Sequence, residues 1–582
     1  MPKNNYHDSR LGVLQVGSYL LCLVVLVKLF YIQVIQNKKY SVLASQQHWD
    51  SRIILPKRGD ILSSDGFPLA TSKPSYILFS ENQKIEDPVQ ASSDLATILY
   101  EESTDQTLEE FEQSLKEGLS KDLSWVPLQK KVSEDTKREI EALEIAGLGF
   151  EEEPVRFYPE GSLASHVLGY VAGSERNFEQ GYFGIEGFFD GDLRGKPGRI
   201  LEERGATGDV ILAGGYKKVP SQDGRGLVLT LNREVEYMAE LKLKEAVEKF
   251  KAKSASVVIM NPENGDIIAM ASYPTFDPSS SDSEISESTE SQKIQKKNVA
   301  IAEVYEPGSV LKPLTVSAAL DLNLVTPDST FDDDGPKVYS GHRIDNWDGK
   351  HLGIQTITQL LEKSNNIGAA YVGMKVGTER LYDYFRKFGL SELSGVALEG
   401  ENTGSLRDPS EWRDIDLATA AFGQGVSVSQ LQLATAFSVF DNGGFLVKPR
   451  IVSEIVDGTR SIELPAVRKR QVLATDTARI ISLMLVSAVD KGESKFFNIK
   501  GYSVAGKTGT AQIPVDGRYD PDKTNATFAG FLPNAPLDKK FVMVVRVEEP
   551  ESSIYAAETA VPLWMNILRE LVVLYKIPPD RL

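Results

Sequence analysis

The chain has 582 residues, 41% of them hydrophobic and 25% charged, with a formal net charge of −18. That length exceeds one ordinary domain and the composition is that of packed protein, so two or more folded units are expected and wholesale disorder is excluded. The acidic balance argues against a nucleic-acid partner, because phosphate contacts need a basic face.

The first element is an almost unbroken apolar run from Leu11 to Val27, followed by Lys28 and more apolar residues to Ile35. A helix of about 20 residues spans a bilayer, and a lysine near its end can extend its charge to the headgroups. No small-x-small site follows, so an uncleaved anchor is expected over 11–36, behind a tail over 1–10. Lys3 and Arg10 precede the span while Lys38 and Lys39 follow it, so the positive-inside rule leaves orientation open. The single cysteine, Cys22, lies in this run, which excludes an intramolecular disulfide and a cysteine-built zinc site. The five histidines are scattered, with none at i, i+4, and no metal or cofactor is expected.

Pro56–Ala70 reads as strand, Ser-Asp-Gly turn and strand. Residues 84–153 are acidic and helix-like, as in Leu108–Leu115 and Lys137–Leu143, and the first half as a whole reads as scaffold without a catalytic cluster. The second half opens with strand-like Gly226–Leu231 and helical spacing over Arg233–Lys251. Ala255–Met260, the turn Asn261–Gly265 and Asp266–Ser272 predict a hairpin. Residues 279–297 are low-complexity and read as an exposed loop. Helical stretches dominate to about residue 490, and three strands close the chain: Ser503–Ile513, Thr527–Leu532 and Phe541–Val547. Hairpin, helices, then strands predict an α+β fold with one antiparallel sheet of about five strands flanked by helices.

Chemistry concentrates in three places. In Tyr305-Glu-Pro-Gly-Ser-Val-Leu-Lys-Pro313, a Pro-Gly turn puts Ser309 at the start of a helix expected over Val310–Leu322. Positions i and i+3 share a helix face, so Lys312 can reach Ser309. A serine hydroxyl is a weak nucleophile until a base takes its proton, and a lysine whose pKa is lowered by burial or a second cation can be that base. Alone, the pair is as well explained by a capping serine and a solvated lysine. Ser364-Asn-Asn366 and Lys507-Thr-Gly-Thr510 change that, because the three in this order are the signature of β-lactamases and penicillin-binding proteins.

With these motifs the sequence resembles the class B penicillin-binding proteins, which are peptidoglycan D,D-transpeptidases. Asp266–Pro274, Phe422-Gly-Gln-Gly425, Ala505–Gln512, Arg58-Gly-Asp60 and Arg156–Val171 carry the resemblance further, from about residue 11 to the C-terminus. Pro562-Leu-Trp564 departs from the more usual Pro-x-Phe. The resemblance implies an elongated mixed pedestal of the dimerisation type over 37–225 and a transpeptidase domain over 226–582. It implies Ser309 as nucleophile, Lys312 as general base, Ser364 as proton relay, Asn366 as a ligand of Lys312 and substrate, and Lys507 as second cation. Thr508, Gly509 and Thr510 would bind substrate, the glycine by letting a peptide approach the strand edge.

The implied partners are stem peptides (a D-Ala-D-Ala donor and an amine acceptor), β-lactams, and in the membrane a SEDS-type glycosyltransferase and divisome proteins. The implied location is the cytoplasmic membrane, with the catalytic domain outside, and the first half leans toward the septal over the elongation branch. A D,D-carboxypeptidase or a penicillin-binding sensor would share the acylation chemistry. A class A β-lactamase would need a glutamate in a Glu-x-x-Leu-Asn segment, which the sequence lacks.

Overall fold

In the computed structural model the described residues are 5–40, 49–100, 106–123, 125–173, 179–203, 216–279, 296–515 and 518–581. Most of the low-complexity run, residues 280–295, lies outside them. The chain divides into two compact units with interleaved segments. The smaller lies within Met1–Lys57, Pro74–Val155 and Lys196–Asp223; the larger comprises Arg58–Lys73, Arg156–Gly195 and Gly224–Leu582.

The smaller unit carries the N-terminal helix, Asn5–Phe30, extended by one wider turn, Tyr31–Ile35. Its segment Gly12–Ile35 is 24 residues long and apolar enough to cross a membrane. Elsewhere in this unit Tyr76–Ser80 forms the middle of a three-stranded antiparallel sheet, between Val126–Val132 and Leu148–Glu152. Leu78 of that strand shares a core with Leu95, Leu115, Leu119 and Ile140 from three helices, Pro88–Leu99, Leu108–Leu119 and Glu134–Glu141. The stretch 84–153 thus holds two strands besides helices. Only two of the seven side chains of Val126–Val132 are buried, too few for a period of two to show against its lysines.

The larger unit is built on a five-stranded antiparallel sheet. Numbered within this unit, its strands are β1 (Ser254–Met260), β2 (Ile267–Tyr273), β3 (Ala505–Val515), β4 (Arg518–Phe531) and β5 (Val542–Glu548), in the spatial order β2-β1-β5-β4-β3. β1 pairs with β2, Val257 opposite Ala271, and with β5, Val257 opposite Val545. The final strand therefore closes on the first, and everything between β2 and β3 is one long insertion. The helices that matter below are α1 (Arg233–Phe250), α2 (Lys312–Asp321), α3 (Ile357–Lys363), α4 (Asn366–Val376), α5 (Gln430–Asp441), α6 (Thr475–Lys491) and α7 (Ala560–Leu574).

Side chains alternate across the sheet. Val257, Ile259, Phe528 and Val545 share one core with Val235 and Leu243 of α1 and Trp564 and Leu568 of α7. Val258, Val544, Ala529 and Phe531 belong to the other, with Leu314 of α2, Phe437 of α5 and Ile481 of α6. Because both faces are covered, all seven residues of β5 are buried. α5 is buried at every position, and its Gln430 ties it to the sheet: Ser256 Oγ donates to Gln430 Oε1 at 2.6 Å, and Gln430 Nε2 donates to Val544 O at 2.7 Å. Trp564 is fully buried; its indole N–H donates to Met543 O at 2.9 Å and its ring meets Phe528 edge-on at 5.2 Å. A main-chain carbonyl thus accommodates the tryptophan that departs from the usual phenylalanine.

The motifs in the first half have a packing reason. Glu186, fully buried, lies 2.6 Å from both Arg58 Nε and Arg156 Nε, and Arg58 also pairs with Asp190 at 2.9 Å. Burial alone would push the Glu186 carboxyl up, but the two guanidiniums overcome it and hold it below its ordinary value. The insertion between β2 and β3 holds more than helices. Thr330–Asp333 pairs with Gly353–Thr356, Lys337–Tyr339 with His342–Ile344, and Val452–Asp457 with Arg460–Glu463. Five of these strands have only three or four residues, too few for alternation to stand out, and Val452–Asp457 has six whose burial does not alternate.

Candidate active site

Ser309 sits in a turn, Gly308–Leu311, of 3-10 geometry; α2 begins only at Lys312. The expected helix thus starts two residues late, and Pro313 falls in its first turn, where the missing N–H has no partner to lose. Neither turn nor helix has a side-chain cap, so the Ser309 hydroxyl is not a capping group. The turn is braced from outside. Gly308 N donates to Gly423 O at 3.1 Å, and Glu306 accepts from Gly425 N at 2.9 Å and from the Tyr519 hydroxyl at 3.0 Å. Gly423 has φ +86°, and a Cβ there would stand 2.1 Å from Gly308 O, so only glycine lets Phe422–Gly425 lie against the serine turn.

Lys312 is fully buried. Its Nζ donates to Ser364 O at 2.5 Å, Asn366 Oδ1 at 2.8 Å and Ser364 Oγ at 3.3 Å. The chain is shaped for this. Ser364 links α3 to α4 with φ +54°, a left-handed conformation costing about 1–2 kcal/mol in a non-glycine residue. Asn365 caps α4, its Oδ1 accepting from Gly368 N at 2.7 Å, and Asn366 opens the helix.

Lys507, on β3, is almost fully buried and donates to Thr508 Oγ1 at 3.1 Å. Burial first, then the neighbouring Lys507 charge, hold Lys312 well below the usual lysine range, with Glu493 opposing. Burial also lowers Lys507, again against Glu493. β3 is an edge strand of the five-stranded sheet. Gly509, expected to leave room for a peptide, is needed for packing: a Cβ there would meet Pro307 O and Val310 Cγ2, each at 2.6 Å, so its absence lets β3 lie against the serine turn. Thr508 is buried and donates to Glu493 Oε2 at 3.0 Å, whereas Thr510 is exposed and accepts from Ala556 N at 3.0 Å. The structure therefore gathers all eight expected residues, Ser309, Lys312, Ser364, Asn366, Lys507, Thr508, Gly509 and Thr510, around one turn.

Sequence reasoning missed the layer behind them. Asp333, fully buried, accepts from Asn365 Nδ2 at 2.7 Å, Asn346 Nδ2 at 3.1 Å and Leu352 N at 3.1 Å, and faces His351 Nδ1 at 3.0 Å. Asn346 Oδ1 accepts from Asn366 N at 3.0 Å, and Asp345 O from Asn366 Nδ2 at 3.0 Å. In Thr330-Phe-Asp-Asp333, alternation from buried Phe331 points to Asp333 as the inward aspartate, a signal available in the sequence. Glu493 had none.

Comparison with known proteins identifies the family. The family model of the penicillin binding protein transpeptidase domain matches residues 255–569, and that of the penicillin-binding protein dimerisation domain matches 53–229. Stage V sporulation protein D of Bacillus subtilis (strain 168) is 32% identical over 556 residues, 94% of this chain and 83% of that protein. Peptidoglycan D,D-transpeptidase FtsI of Escherichia coli (strain K12) is 28% identical over 528 residues, 90% of this chain and 85% of that one. Penicillin binding protein 2X from Streptococcus thermophilus, 20% identical, shares the fold with a TM-score of 0.74 over 90% of this chain and 80% of its own. With its transpeptidase match spanning more than half its length and a relative at this identity aligned nearly end to end, the chain belongs to the class B penicillin-binding proteins.

Proposed function

We propose that this protein is a peptidoglycan D,D-transpeptidase that cross-links stem peptides through an acyl-enzyme on Ser309. The observation that carries the reading is a fully buried lysine, one helical turn from Ser309, held by Ser364 and Asn366 beside a second buried cation. In that setting neutral Lys312 takes the Ser309 proton and Oγ attacks the carbonyl of the penultimate D-alanine. The C–N bond then breaks. The departing D-alanine amine receives the proton from Lys312 by way of the Ser364 hydroxyl, leaving an ester on Ser309. The amine of a second stem attacks this ester and gives its proton to Lys312; as the ester breaks, Ser309 recovers a proton and the stems are joined.

Asn366 holds Lys312 and the substrate amide, and Lys507 attracts the terminal carboxylate. The free edge of β3 pairs with the donor peptide through main-chain hydrogen bonds, with Thr508, Gly509 and Thr510 lining the contact. The backbone N–H groups of Ser309 and Thr510 receive the oxyanion, each such donor contributing about 3–4 kcal/mol to the transition state. A β-lactam acylates the same serine by opening its ring.

Residues 11–36 would anchor the chain with 1–10 in the cytoplasm, 37–225 serving as pedestal and 226–582 as the catalytic domain outside, where the substrate lies. Strand polymerisation then falls to a SEDS-type glycosyltransferase contacted in the membrane with other divisome proteins, and we place the protein in the septal branch. The test uses full-length protein in detergent with a donor stem ending in D-Ala-D-Ala and an excess of amine acceptor. Release of D-alanine with a joined product is expected; release with only the shortened donor would make it a D,D-carboxypeptidase.

A further inference from the structure

Glu493 takes no part in the steps above, yet it faces both lysines. It opens the turn Glu493–Phe496 that follows α6. The residue before it, Gly492, is pressed against two carbonyls: a Cβ there would lie 2.2 Å from Ala488 O and 2.7 Å from Glu362 O. Glycine thus lets the turn pack on the C-terminal end of α3, immediately ahead of Ser364. From this seat the Glu493 carboxylate reaches Thr508 Oγ1 on β3 at 3.0 Å, joining the elements that carry the second and third motifs.

The polarity of that bond follows from the groups. An ionised carboxylate only accepts, and a threonine hydroxyl has one proton to give. Thr508 therefore points its proton at Glu493 and its lone pairs at Lys507, whose ammonium donates to the same oxygen at 3.1 Å. Without the carboxylate the hydroxyl is free to rotate and present its proton to the ammonium.

We propose that Glu493 is a positioning residue for transpeptidation: through Thr508 it seats the Lys507 ammonium, and its negative charge offsets that ammonium beside Lys312. This role presupposes that Lys312 and Lys507 serve Ser309 as described above. Lys312 on α2 and Lys507 on β3 are the lysines facing it; Glu493 favours the charged form of each against burial. Neighbouring charges are engaged elsewhere. Lys491 pairs with Glu362 of α3 at 3.4 Å, Lys495 lies over the Phe496 ring at 4.8 Å, and Asp490 pairs with Arg581 at 2.9 Å.

The test follows acylation of full-length protein by a fluorescent penicillin, from about pH 5 to pH 10, beside Glu493→Gln and Glu493→Ala, with melting temperatures measured in parallel. Glu493→Gln keeps an acceptor oxygen and loses the charge. Both limbs of its pH profile are expected to move to lower pH by about half a unit or more, with less than a tenfold loss at the maximum. Glu493→Ala loses acceptor and charge; its profile moves the same way and its maximum falls about tenfold or more. Variants that follow the wild-type profile, or lose the same factor at every pH as a merely structural change would, overturn the proposal. If Glu493→Ala does not fold, the Glu493→Gln profile decides alone. A wild type that is not acylated at Ser309 overturns the assignment of the lysines as well, whereas an acylating wild type with unshifted variants removes only Glu493.

Discussion

Lys312 concentrates the chemistry at the scale of single residues. A buried ammonium is expensive, and a second one nearby makes it more so, which pushes Lys312 toward the neutral form a base needs. Burial lowers Lys507 too, with Glu493 opposing. For Lys312 to serve as base while Lys507 keeps its charge, Lys312 must lose its proton first as pH rises and Lys507 later. Acylation should rise with pH on an acid limb well below 10.5 and fall again where Lys507 is discharged. Lys312→Arg, which cannot lose its proton at these pH values, should lower the second-order acylation rate about 100-fold or more; a variant acylating at the wild-type rate would show that the proton goes elsewhere. The identities of Ser309, Lys312, Ser364, Asn366 and Lys507 were legible because chemistry restricts their residue types and the three motifs keep a fixed order. What Gly509 faces was not, because its neighbours Pro307 and Val310 are brought to it only by the fold.

At the scale of elements, the second motif depends on a short strand pair, Thr330–Asp333 with Gly353–Thr356. Asp333 on Thr330–Asp333 holds Asn365 directly and Asn366 through Asn346, and so fixes the acceptors that cradle Lys312. Removing a buried acceptor strands its donors, at about 1–3 kcal/mol for each unsatisfied group. Asp333→Ala is therefore expected to lower the unfolding free energy by about 2–4 kcal/mol and slow acylation roughly tenfold, with Asp333→Asn milder on both, measured by denaturant unfolding and penicillin labelling. Full activity and stability in Asp333→Ala would remove this strand pair from the site. The hairpin β1–β2 and strands β3 and β5 were readable because apolar runs and turn residues bound them, and so was the end of β4 from Thr527; its largely exposed start from Arg518 was not expected. Most of the insertion's small strands were not, since three or four residues carry too little pattern; Val452–Asp457 has six, but its burial does not alternate.

For the whole molecule, two sets of buried carboxylates in the larger unit pull stability in opposite directions with pH. Glu186, lowered by Arg156 and Arg58 in spite of burial, contributes fully above its ordinary 4.5 and loses that contribution as pH falls through its lowered value. Glu236 and Glu240 on α1 are raised, by burial and, for Glu236, by Glu240 as well. They favour folding while protonated, and that contribution fades as pH rises from 4.5 through their raised values. Glu236 Oε2 accepts from Met270 N at 2.8 Å and Oε1 has no hydrogen-bond partner among the described residues, so glutamine can keep the useful bond. Glu236→Gln should leave the melting temperature near wild type at pH 5 and raise it by about 2–4 °C at pH 8; an equal shift at both would contradict the titration. The interleaving of the two units was the least legible feature. Arg58–Lys73 and Arg156–Gly195 are tied to each other by Arg58–Glu186, and the first pairs with Gly224–Leu582 through Ile61 opposite Leu227, links that no local pattern reports.

The most direct measurement is the mass of full-length protein, and of its proteolytic peptides, after incubation with benzylpenicillin. One penicilloyl group on the peptide containing Ser309, absent from Ser309→Ala, is the predicted result. An adduct on another residue, or one of equal yield in Ser309→Ala, would contradict the claim that a buried, deprotonated lysine arms this serine.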